Sequence, residues 1–133
     1  MSAVADIDLN PDAPWTPERA RETGRLFAEF ARLLCYASHP GCDALDDPAD
    51  LGAVTGDVSF ALTRLIQFFS QAGWIIGEHA DAWGPDGMAP EATVDSARAW
   101  ADDARTECAP LSEIAGTLHQ RLSHLRVKEN PDA

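Results

Sequence analysis

Three stretches of the chain repeat apolar residues every three or four positions, the pattern of helices with one apolar face. In the first, Ala20, Leu26, Phe27, Phe30, Ala31, Leu33 and Leu34 recur at that spacing. Thr16-Pro17-Glu18 ahead of them supplies an N-cap, a first-turn proline and an early acid. Ser38-His39-Pro40-Gly41 ends the pattern, because proline and glycine both oppose continuation.

The second start reads Asp47-Pro48-Ala49-Asp50. From there Val58, Leu62, Leu65, Phe69, Ala72, Ile76, His79 and Trp83 alternate spacings of four and three, flanked by Ala61, Phe68 and Ile75. This predicts one helix from Pro48 to Trp83, closed by Gly84-Pro85-Asp86-Gly87, with Gly73 or Gly77 as the place where it would break into two. The third pattern is the most regular: Val94, Ala97, Ala101, Ala104, Cys108, Leu111, Ala115, Leu118, Leu122 and Leu125 fill ten successive seam positions. It continues past Pro110, so a kinked but continuous helix is expected from about Pro90 to Val127.

No stretch alternates with the period of a strand. The predicted fold is all-α, an antiparallel bundle of three long helices, or four if the second breaks. Residues 1–16 read as an extended tail, 17–128 as a single helical-bundle domain, and 129–133 as a frayed end. Short connections make sequential helices antiparallel neighbours, so helices two and three should lie level where residue numbers total about 174. That register sets Gly73 against Ala101, Gly77 against Ala97, Leu62 against Leu111 and Val58 against Ala115. At roughly 33 Å the first helix is shorter than its partners, at roughly 54 and 57 Å, and leaves one end of the hairpin uncovered. Trp74, Trp83 and Trp100 fall at that end, with Trp15 close by. Tryptophan pairs a large apolar area with a donor nitrogen, so the end is a candidate docking surface formed by Trp74, Ile75, Gly77, His79, Trp83 and Trp100.

Composition narrows the partners. Twenty-two acids against ten bases in 133 residues give a net charge of -12. Direct nucleic-acid binding is excluded by that balance, since phosphate contacts need a basic face, and anionic membrane surfaces are disfavoured too. No apolar run is long enough to span a membrane, and the first residues resemble no secretory signal. Three cysteines suggest reduced thiols and a cytoplasmic location.

The candidate chemistry is thin. His79 falls level with Asp95, an arrangement that suits a general base, although no nucleophile lies beside it and a buried structural hydrogen bond is the plainer reading. Cys35, His39, Cys42 and His124 would satisfy tetrahedral zinc, but the spacing fits no zinc module and ordinary thiols suffice. Asp43, Asp46, Asp47 and Asp50 lack the glycine and closing glutamate of a calcium loop. No Glu-x-x-His pair, phosphate loop or nucleophile elbow is present. No cofactor is therefore expected.

The sequence points first to a non-enzymatic interaction module that self-associates, or docks a protein, through the tryptophan end. A small-molecule binder or enzyme with a pocket of Trp74, His79, Trp83 and Trp100 is the alternative. The third reading is an acidic mimic that occupies a nucleic-acid-binding protein, drawn from the thirteen acids and three bases between residues 43 and 107.

Overall fold

The computed structural model describes residues 9–84 and 93–128. The tail before residue 9, the turn centred near residue 87 and the last five residues lie outside the described residues. The fold is all-α, with three long helices and no strand among the described residues: α1 (Pro17–Ala37), α2 (Pro48–Glu78) and α3 (Thr93–Leu122). The chain divides into two compact units, residues 1–44 and 45–133.

In the first unit, the Thr16 hydroxyl caps α1 by accepting from the Arg19 amide at 3.1 Å, and Pro17 occupies the first turn. Arg19 also reaches back over the preceding residues. Its guanidinium donates to the carbonyls of Ala13 (2.7 Å) and Asn10 (2.8 Å) and lies 3.6 Å from the centre of the Trp15 ring. Trp15 in turn donates its indole N–H to the Pro11 carbonyl at 3.0 Å. Leu26 is the buried large side chain of this helix. Glu22–Arg25 and Glu29–Arg32 pairs run along its surface, and each arginine holds its glutamate below the usual carboxylate pKa through a direct hydrogen bond.

In the second unit, Asp47 caps α2 by accepting from the Ala49 amide at 2.8 Å, with Pro48 at the first position. The helix runs unbroken through Gly73 and Gly77, so no fourth helix forms there. It stops at Glu78, earlier than the seam pattern predicts: His79 is the C-cap, and residues 79–83 form a turn in which the Trp83 amide donates to the His79 carbonyl at 2.8 Å. Helix α3 passes through Pro110 without interruption. It ends at Leu122, which leaves Leu125 beyond the last turn.

Helices α2 and α3 pack antiparallel along their length. The expected register holds to within one residue. A β-carbon built on Gly52 would lie 3.5 Å from that of Leu122, and one on Gly73 would lie 3.8 Å from that of Ala101. Ser59 donates to the Ser112 carbonyl at 3.4 Å, and the hydroxyls of Thr63 and Ser112 share a hydrogen bond at 2.7 Å. The face in contact is rotated from the expected one. Gly52, Gly56, Ser59 and Gly73 meet Leu122, His119, Gly116 with Ser112, and Ala101, so the α2 side of these contacts is built of small residues. Gly77 faces the Arg98 guanidinium rather than Ala97. Small seam residues let two helices approach closely, while Phe68, Ile75, Leu111, Ile114 and Leu118 stay exposed.

Candidate functional site

The rotation of the seam decides what the hairpin shows to its surroundings. Leu111, Ile114 and Leu118, spaced by three and four, stand along one outer side of α3 with exposures of 50, 65 and 52%. Trp100, eleven residues before Leu111 and 70% exposed, continues the same line. Phe68 and Ile75 lie seven apart on α2 and are both exposed. Counted at 100° per residue from the seam glycines, they point away from α3. Among the described residues Leu26 and Leu122 are the large apolar side chains that are buried.

The tryptophans of the second unit do not share one surface. Trp74 lies in a groove between α2 and α3 of about 330 Å³, together with Phe69, Ser70, Gly73, Arg98, Asp102 and Arg105. Trp100 follows Arg98 by two residues, about 200° further round α3, and so faces the other side. Trp83 stacks on His79, with ring centres 4.9 Å apart and planes 12° from parallel. Ile75 is 42% exposed on the outer side of α2. Gly77 is at the seam.

The buried His79–Asp95 pair does not form. His79 is exposed at the helix cap, and its ring contact is Trp83. The histidine that does enter the hairpin is His119. Its Nδ1–H donates to the Gly52 carbonyl at 2.7 Å, and its ring fills the space beside Gly56. The sequence signal was present, since the register sets residue 56 against 118 or 119, and a glycine opposite a large side chain marks a close approach.

No cluster of metal-ligating side chains occurs among the described residues. Cys35 and Cys42 are exposed free thiols, and the His39 ring accepts the Gly41 amide at 3.2 Å. Asp47 is engaged as the α2 cap. No helix among the described residues is long and apolar enough to cross a membrane. Compared with protein-family models, with curated proteins and with solved structures, the chain matches none of them.

Proposed function

We propose that this protein is a non-enzymatic helical interaction module that pairs with a second copy of itself along the outer side of α3. One observation carries the reading: α3 packs on the glycines of α2 and leaves Trp100, Leu111, Ile114 and Leu118 outside the hairpin in one line. Their exposed apolar area is roughly 500 Å², close to the apolar share of one half of a standard protein–protein interface. A patch of that size is near the upper end of what a monomer exposes.

A second copy suits the patch for a further reason. Glu107 lies on the line between Trp100 and Leu111, but the side chains at positions 111, 114 and 118 are uncharged, so two identical lines can meet over Leu111, Ile114 and Leu118 without opposing like charges. Two-fold pairing of identical surfaces is also the commonest way to close an assembly. The module works in the cytoplasm, where Cys35, Cys42 and Cys108 stay reduced. Light scattering of the full chain at micromolar concentration tests the pairing. The expected mass is twice the 14.3 kDa of the chain, and a sharp 14.3 kDa species would overturn it.

A further inference from the structure

We propose that the groove beside Trp74 binds small aromatic carboxylates, with the ring stacked on the indole and the carboxylate held by Arg98. The groove lies on the other side of α3 from Trp100, so this proposal stands independently of self-pairing.

Three features support it. The first is the state of Arg98. On its own helix it has Asp95 one turn before it and Asp102 one turn after, both at spacings where ion pairs form. It pairs with neither. Its guanidinium reaches across to α2 instead, with Cζ 3.3 Å from where a β-carbon on Gly77 would sit. The bare backbone at Gly77 lets the planar group settle there, and among the described residues its N–H donors carry no hydrogen bond or ion pair.

The second feature is the neighbouring acid. Asp102 accepts both Nε (3.2 Å) and Nη2 (2.8 Å) of Arg105 on one carboxylate oxygen. The acid of the groove is thus committed to Arg105, and Arg98 is left to receive an incoming carboxylate through its two-pronged donor face. Two arginines and one aspartate give the lining a net positive charge on a chain of net charge -12.

The third is Trp74, a residue 66% exposed at the edge of the same groove, whose ring offers a stacking platform. At about 330 Å³ the space suits a ligand of one or two rings.

The test is a nuclear magnetic resonance titration of the full chain with 2-naphthoate and with the neutral 2-naphthamide. The Trp74 indole N–H is followed, assigned by its loss in Trp74→Leu. Naphthoate should shift that signal saturably, and naphthamide should bind at least about tenfold more weakly, the loss of one charged hydrogen-bonded contact. Arg98→Gln should weaken naphthoate by a similar factor with helicity unchanged by circular dichroism. Equal binding of the two probes, no saturation, or full affinity in a folded R98Q chain would each overturn the proposal. Should R98Q lose helicity, the two probes on the unaltered chain decide the matter alone.

Discussion

His119 reaches the Gly52 carbonyl because Gly56 has no side chain in its path. A β-carbon at position 56 would meet the imidazole Cε1 at 2.8 Å and Nδ1 at 2.9 Å, both inside van der Waals contact. The ring is rigid and held by a hydrogen bond, so it cannot swing aside as the end of a lysine would. Gly56→Ala should therefore destabilise the protein by about 1–3 kcal/mol, the cost of overpacking, even though alanine is the better helix former. Gly24→Ala in α1 is the control. Nothing lies within 4 Å of its β-carbon, so propensity alone acts and a gain of about 0.5–1 kcal/mol is expected. Urea denaturation of both variants checks the pair, and equal shifts would mean that position 56 is open. Gly77 belongs between them. Its neighbour is the flexible end of Arg98 at 3.3 Å, so Gly77→Ala should change stability by well under the Gly56 effect.

At the scale of elements, the starts of α1 and α2 were legible and the facing surfaces of the helices were not. Thr16-Pro17 and Asp47-Pro48 act through local chemistry, a side-chain acceptor and a fixed φ, and both caps form where the sequence puts them. The end of α2 was missed because the apolar spacing continues through His79 and Trp83, although the chain has already turned. Their stacked rings keep the period while the backbone leaves it. The seam was misjudged for a related reason. Counting apolar positions points the leucines of α3 at α2, whereas two helices with glycines and serines at matching levels gain more from close backbone approach. Leu118 shows the difference. In the centre of a bundle, Leu118→Asp would unfold the chain; on an outer side that is 52% exposed, it should leave helicity and the α2–α3 hairpin intact and abolish self-pairing. Circular dichroism and light scattering on one sample separate the two outcomes. Pro110 offers a second check on α3. Its missing N–H leaves the Thr106 carbonyl without its usual donor, so Pro110→Ala should raise the melting free energy by about 1–3 kcal/mol.

For the whole molecule, charge and apolar area act in opposite directions, and salt tells which one governs association. Two copies of a chain of net charge -12 repel one another, and the apolar line on α3 must overcome that repulsion to pair them. Screening shortens the reach of the repulsion from about 30 Å at 0.01 M salt to about 10 Å at 0.1 M and about 3 Å at 1 M. Apolar contact is not weakened by the same change. Self-pairing along Trp100, Leu111, Ile114 and Leu118 should therefore tighten as salt rises, and Trp100→Ala should weaken it by at least about 2 kcal/mol at every salt concentration, as expected of an aromatic anchor. An acidic surface that docks a basic partner behaves the other way, because salt screens the attraction it depends on. Sedimentation equilibrium of the full chain and of W100A over this salt range measures both effects. A dimer that loosens with added salt would mean that contacts between opposite charges, and not the apolar line, hold the two copies together.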